Sequence, residues 1–333
     1  MTVASSPPEG WDEEVLSGDS ASLLLYHTTA WADRLKALLG YVPVYFRVAG
    51  ETGQRVHLLG FIAPPTKPGA SAPAHRKVRF HVGKLIAAVK RQRAFLWHGQ
   101  PVVSGAWDPL LAAALSRELA SYLKLNRLRL VRGEWPTSRL SDLPQEWQVA
   151  PWATLQVDLT PPLSEIKSSL KSAARKEIRK GESQGLTVRR VASESELEAY
   201  VRFARECARR YAGKAVSWDD YLLCWRILRG EGRIFETFVA ELDGEPVAGL
   251  TVWGTQRRIM EIGSFQSERG FQEKLPGPDL IKWRVIEWAK ELGIASFDLA
   301  GINPEPRSEK EANIRRFKEK WGGSQVDFVT VSA

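Results

Sequence analysis

Residues 234–265 read "IFETFVAELDGEPVAGLTVWGTQRRIMEIGSF". Apolar residues crowd three runs in this stretch, and Asp243-Gly244 separates the first two. An Asp-Gly pair between apolar runs is a hairpin turn, because glycine and aspartate tolerate the positive φ that a tight turn needs. The stretch is therefore a three-stranded meander. Before it, "SESELEAYVRFARECARRY" (193–211) has helical spacing and a Ser193 to Glu196 capping box. After it, "DLIKWRVIEWAKEL" (279–292) is a helix stopped by Gly293, and "ASFDLA" (295–300) is a strand.

The first half repeats this order. "TAWADRLKALL" (29–39) places Trp31, Leu35, Leu38 and Leu39 on one helical face and ends at Gly40. "YVPVYFRVAG" and "RVHLLGFIA" flank "ETGQ" as a hairpin, and "PPTKPGASAPA" (64–74) is a loop. A helix to Leu125 opens with Asp108 as N-cap and Pro109 at its first position, and "NRLRLVRG" alternates as a strand. Both halves read helix, hairpin, helix, strand. This order argues for two related α/β domains with a boundary near Pro151, not for one doubly wound sheet.

Composition excludes several classes. The 333 residues are 44% hydrophobic and 26% charged, an ordinary globular balance. No signal-peptide pattern precedes "MTVASSPPEGWDEEV", and runs such as "ASLLLY" are far short of the ~20 residues of a membrane span. The two cysteines, Cys207 and Cys224, support neither a disulfide framework nor a zinc site, and a reducing cytoplasm is the expected location. The net charge of +8 points to a polyanionic partner without choosing one.

Two segments concentrate that charge. In "SEIKSSLKSAARKEIRKGE" (164–182), Ile166, Leu170, Ala174 and Ile178 recur every fourth residue. Lys167, Lys171, Arg175 and Arg179 form a parallel row, extended by Lys176 and Lys180. Like charges at i, i+4 repel by a few tenths of a kcal/mol per pair, so the row costs helix stability unless an anion lies against it. It reads either as a solvated face or as a nucleic-acid surface. "HRKVRFHVGKLIAAVKRQR" (75–93) has no acidic residue, and two patches suit RNA better than a single phosphate.

"NIRRFKEKWGG" (313–323) closes a helix near the C-terminus. At 100° per residue Ile314, Phe317 and Trp321 share a face, and Lys318 lies about 40° from Ile314 on that side. Arg315, Arg316, Glu319 and Lys320 take the opposite, wet arc. Lys318 thus either snorkels or serves as a working cation. Nucleophile elbows, phosphate loops and dinucleotide fingerprints are absent, and none of the five histidines lies in a catalytic or metal motif. An enzyme of this composition would position a substrate that carries its own nucleophile, with Lys318 beside the oxyanion. No cofactor or metal is called for.

The stretch 153–191, from "ATLQVDL" through the basic segment, resembles the start of the second domain in the Fem family of peptidoglycan aminoacyltransferases. "EIGSFQSERGFQEKLPGPDLIKWRVIEWAKELGIASFDLAGINP", followed by "NIRRFKEKWGG", is similar to that family's C-terminal block. The most specific element is the order Asp298-Leu-Ala-Gly301, Phe317-Lys318, Gly322-Gly323. "HTTAWADRLKALLGY" and "HGQPVV" are looser matches, the latter with His98 and Gln100 where Arg-Gly-Pro is usual. The absence of a coiled-coil arm fits the shorter, FemX type.

The resemblance implies a tandem of two GNAT-like acyl-CoA N-acyltransferase domains of α/β (α+β) class, each a mixed, mostly antiparallel sheet flanked by helices. Domain 1 would span 1–150, completed by a C-terminal strand at about 318–333, and domain 2 would span 151–317. The implied activity is transfer of an amino acid from aminoacyl-tRNA to a stem-peptide amine of a peptidoglycan precursor, either UDP-MurNAc-pentapeptide or lipid II. Lys318 would stabilise the transition state and Phe317 shape the site. Arg210, with Arg209 as the alternative, and Lys36 would contact nucleotide-sugar phosphates. Gly301 and Asp108 are further substrate-binding candidates, although Asp108 before Pro109 reads first as a helix cap. The basic row from Lys167 to Lys180 would hold tRNA. The chain is expected to act as a monomer in the cytoplasm, touching the inner membrane face peripherally and not binding DNA. Two rivals stand beside this reading: an acyl-CoA-dependent N-acyltransferase and a non-catalytic RNA-binding protein. Pro278 argues against the first, since a pyrophosphate turn needs that N–H. Trp288 and Trp321, on apolar helix faces, argue against base stacking in the second.

Overall fold

The computed structural model describes all residues except 1, 21, 52, 65–92, 106–108, 210–215 and 231. The chain forms two compact units, Met1–Pro151 with Asp327–Ala333, and Trp152–Val326.

The first unit contains β1 (Thr2–Ala4), α1 (Trp11–Ser17), α2 (Thr29–Leu39), β2 (Val42–Ala49), β3 (Arg55–Ala63), β4 (Arg93–Trp97), β5 (Val102–Ser104), α3 (Pro109–Leu125) and β6 (Leu128–Pro136). β7 (Gln148–Asp158) leads into the second unit. There follow α4 (Leu163–Ser169), α5 (Ser172–Ser183), β8 (Thr187–Arg190), α6 (Glu194–Ala208), α7 (Trp218–Ile227), β9 (Arg233–Leu242), β10 (Glu245–Thr255) and β11 (Arg258–Gln266). α8 (Glu268–Gln272), α9 (Gly277–Glu291), β12 (Ser296–Ile302), α10 (Glu309–Glu319) and β13 (Ser324–Ser332) complete the chain.

The repeat in element order is a repeat in pairing. The first unit's strands run β1-β2-β3-β4-β6-β13, and the second unit's run β8-β9-β10-β11-β12-β7. In each, the first four strands are antiparallel, one parallel pair follows (β4 with β6, β11 with β12), and an antiparallel strand closes the order. A parallel pair needs a crossover, and α3 and α9 supply it. The β9-β10 turn is built as the sequence predicts, with positive φ at Asp243 (55°) and Gly244 (81°).

The core of the second unit gathers Phe238, Val247, Leu250 and Val252 from its sheet, Leu280, Trp283, Val285 and Ile286 from α9, and Trp321. Tyr200 of α6 packs on the sheet where Gly249 leaves room, since a Cβ there would lie 2.5 Å from its ring. The capping box forms, with Ser193 Oγ accepting from the Glu196 amide (3.2 Å) and Glu196 accepting from the Ala192 amide (3.1 Å). Cys207 and Cys224 are buried as free thiols. No described helix is long and apolar enough to cross a membrane.

Three sequence expectations are corrected. The basic segment is two helices: Ile166, Leu170, Ala174 and Ile178 are all buried, but Leu170 and Lys171 are extended, with ψ of 142° and 152°. The break is satisfied locally, because the Lys171 amide donates to the Lys320 carbonyl (2.9 Å) and Arg175 donates to the carbonyls of Ser168 and Leu170 at the end of α4. On α2, Leu39 is 46% exposed, outside the buried face of Trp31 and Leu35. On α10, only the face's far end is buried. Trp321 is in the core, while Ile314 and Phe317 are exposed and line a groove, and Lys320, expected on the wet arc, turns inward.

Candidate active site

The site is built from the bulge in β12. The register of β12 against β7 shifts between Asp298 and Gly301, and Ala300 takes a left-handed φ of 64°. Asp298 holds this turn: one carboxylate oxygen accepts from the Ala300 amide (2.7 Å) and from Thr154 Oγ1, the other from Gln156 Nε2 (3.3 Å). Burial pushes the Asp298 carboxyl up, and the Thr154 and Ala300 hydrogen bonds oppose the shift. A Cβ at Gly301 would lie 2.5 Å from Trp152 Nε1, so glycine is needed there. The carbonyls of Ala300 and Gly301 are thereby turned towards α10.

Lys318 Nζ donates to both, at 3.1 Å and 2.9 Å. Helix α10 is set in place at either end. Ser308 Oγ accepts from the Glu311 amide (3.2 Å), and Glu311 accepts from the Arg307 amide (2.7 Å). At the other end Gly322 has φ of 71°, and a Cβ would meet Ser169 O at 2.7 Å; at Gly323 it would meet Gln156 O at 2.8 Å. The Gly-Gly pair is what lets backbone approach backbone behind the lysine.

Two ammonium groups stand over the Phe317 ring, a third, Lys318, is repelled by one of them, Lys282, and their partners distinguish the three. Lys282, fully buried, pairs with Glu261 (2.5 Å) and stands 5.3 Å from the ring centroid. Lys320 pairs with Asp279 (2.6 Å) and stands 4.1 Å from it. Lys318 alone of the three is held by neutral carbonyls. An ammonium has three N–H groups, two of which are used, so one remains for a ligand. Burial pushes the Lys318 ammonium below the ordinary lysine range; Glu261 counters that shift, Lys282 adds to it, and Asp298 counters it again. Burial raises the Asp279 carboxyl, against the pull of Lys320.

A groove of about 980 Å³ is lined by Phe271, Glu309, Lys310, Asn313, Ile314, Phe317 and Lys318. A second, of about 740 Å³, shares Phe271, Ile314 and Phe317 and runs past Phe265, Leu275, Pro276 and Pro278 to Glu177 and Asp279.

The remaining expected site residues fall elsewhere. Lys36 is exposed on α2 in the first unit, and Arg209 is exposed just beyond α6. Arg210, Asp108 and residues 75–92 lie outside the described residues. Of the basic row, Lys167 stands 5.1 Å from the centroid of the Trp283 ring, Lys171 is 3.7 Å from Glu319, and Lys180 donates to the Lys274 carbonyl (2.6 Å). Arg175 is spent on the helix break, while Lys176 and Arg179 are exposed and Lys171 keeps most of its side chain open beside Glu319. The sequence reading missed Lys282 with Glu261, Asp279 with Lys320, and Phe271. A signal existed for the first: a lysine inside "LIKW" whose i+3 and i+4 neighbours are Val285 and Ile286 lies on the apolar face of its helix, and a buried ammonium requires a carboxylate.

Residues 168–318, which carry this site, match the acetyltransferase (GNAT) domain family. The fold is that of a tandem GNAT protein and is similar to that of FemX. FemX aligns over 99% of this chain and 97% of its own, with a TM-score of 0.67 and 14% identity. The C-terminal domain of a protein named as a lysylphosphatidylglycerol synthetase, from Agrobacterium fabrum, covers 86% of this chain and 84% of its own (TM-score 0.53, 15% identity). A tandem GNAT protein from the clavulanic acid biosynthesis pathway covers 100% and 98% (TM-score 0.50, 13% identity). No curated protein sequence matches the chain. Fold and domain family define an acyltransferase class.

Proposed function

We propose that this chain is an aminoacyltransferase that moves an amino acid from aminoacyl-tRNA to a stem-peptide amine of a peptidoglycan precursor. The observation that carries the reading is the Lys318 ammonium, desolvated, fixed by two neutral carbonyls and lining a groove. The acceptor amine attacks the ester carbonyl, and negative charge grows on oxygen as the carbon becomes tetrahedral. A cation already stripped of water and fixed in place meets that charge with no reorganisation. Collapse expels the ribose hydroxyl and leaves an amide. Phe317, held between Lys282 and Lys320, shapes the wall beside the reacting atoms. Lys171, Lys176 and Arg179 are the members of the basic row open to a tRNA backbone. The fold of FemX and the sequence resemblance support the cell-wall acceptor.

A second reading, transfer from acyl-CoA, is favoured by the acetyltransferase domain match. The N-terminus of α9 opposes it. Pro278 lacks an N–H there, and the Asp279 carboxylate already occupies the first turn, where a pyrophosphate would sit. Incubation with charged tRNAs and a UDP-linked muropeptide, read by mass, decides between them. A residue-sized gain dependent on charged tRNA supports the proposal; an acetyl-sized gain dependent on acetyl-CoA replaces it.

A further inference from the structure

The groove beside Lys318 has an aromatic wall, and the transfer step uses only one of its two rings, Phe317. Phe271 is 62% exposed and Phe317 37%, and both line the two hollows that meet there. The lining carries both signs, Lys274 and Lys310 with Glu177 and Glu309, and the cationic excess lies just beyond it, where exposed Lys176 and Arg179 flank Glu177 at the 740 Å³ groove. Asp279, the carboxylate deepest among the lining residues, is already paired with Lys320.

The chemistry of the donor constrains what can lie here. The oxygen that leaves the ester belongs to the ribose of the 3′-terminal nucleotide, so that nucleotide's base must come to rest within one nucleotide of Lys318. Bases stack on exposed aromatic rings, and the phosphates that follow seek cations. An apolar aminoacyl side chain would use the rings but would gain nothing from Lys274, Lys176 and Arg179. We infer that Phe271, backed by Phe317, is the stacking platform for the 3′-terminal base of the donor, with the next phosphates directed towards Lys274, Lys176 and Arg179. This rests on the aminoacyl-tRNA reading above.

The probe is a 5′-phosphorylated CCA trinucleotide, its binding measured directly and as competition against transfer. Phe271→Ala and Phe271→Leu are expected to weaken CCA binding by about 5- to 150-fold, the range of one lost base stack. Both should raise KM for charged tRNA more than they lower kcat, and Phe271→Trp should restore both quantities. Phe271 is largely exposed on a short helix, and thermal melts of each variant verify that folding is intact. Parent-like CCA binding by Phe271→Ala overturns the inference, and so does parent-like binding by Phe271→Leu, which would make the wall an apolar side-chain pocket. Transfer from tRNA with an unchanged KM in Phe271→Ala removes the platform and leaves the proposed function standing. Aromatic-dependent CCA binding without transfer from any charged tRNA does the reverse. A parent protein that neither binds CCA nor transfers removes both.

Discussion

Replacing Lys318 by methionine tests the centre of the mechanism, and the structure sets the size of the effect. Two of the three N–H groups are committed to Ala300 and Gly301, so the substitution removes a single oxyanion donor. Loss of one such donor costs about 10²- to 10³-fold in kcat, or roughly 2.7–4 kcal/mol. The fold should persist, because methionine keeps the length of the side chain and the two residues whose carbonyls it leaves, Ala300 and Gly301, are only half-buried. Lys318→Arg keeps the charge but replaces a point ammonium with a planar fork, so it should recover only part of the rate. The assay is single-turnover transfer to a muropeptide, with melting curves of each variant. The cation is lost as pH rises, and burial places that loss below the ordinary lysine range. The alkaline limb of kcat should therefore begin below the ordinary lysine range and disappear in Lys318→Met. A folded Lys318→Met protein within tenfold of the parent kcat would refute the reasoning and return this lysine to a packing role.

Other consequences follow from the same geometry. His27 is locked neutral: Nδ1 accepts from the Leu59 amide (3.0 Å), Nε2 donates to the Gln100 carbonyl (2.9 Å), and burial brings its pKa from 6.5 to about 3. The unfolded chain takes up the proton first, so stability falls as pH drops through 6.5. Between pH 7 and 5 His27 alone should cost roughly 2 kcal/mol, a loss seen in urea midpoints and absent from His27→Gln. Gly322→Ala must place a Cβ against the Ser169 carbonyl at a left-handed φ, and should lower stability by about 2 kcal/mol, read as a melting shift of roughly 4–8 °C. Lys282→Met strands the half-buried Glu261 and should cost about 3–5 kcal/mol, with Lys282→Met/Glu261→Gln recovering most of it in a denaturant double-mutant cycle.

The fold was legible because its signals are local. Asp243-Gly244 specifies its turn through backbone sterics, Ser193 and Glu196 cap a helix from within three residues, and Gly293 stops one. The burial of Ile166, Leu170, Ala174 and Ile178 followed from their period alone, and the same period hid the break at Leu170. That break exists because the Lys171 amide finds the Lys320 carbonyl, a partner far along the chain that no window of sequence contains.

The site divides along the same line. Sequence order brought out Lys318 and Phe317, the glycines at 301, 322 and 323, and the basic row, since each is a matter of residue type and spacing. Which lysine keeps a charge that no carboxylate pairs was decided by tertiary structure, through the carboxylates placed on Lys282 and Lys320 and the neutral carbonyls placed on Lys318. Ile314 and Phe317 have the helical phase of core residues and are exposed, because the packing of α10 buries only Trp321 at the end of that face. Periodicity determines which residues share a face. What that face meets depends on residues brought together from across the chain, and on this helix it meets a groove.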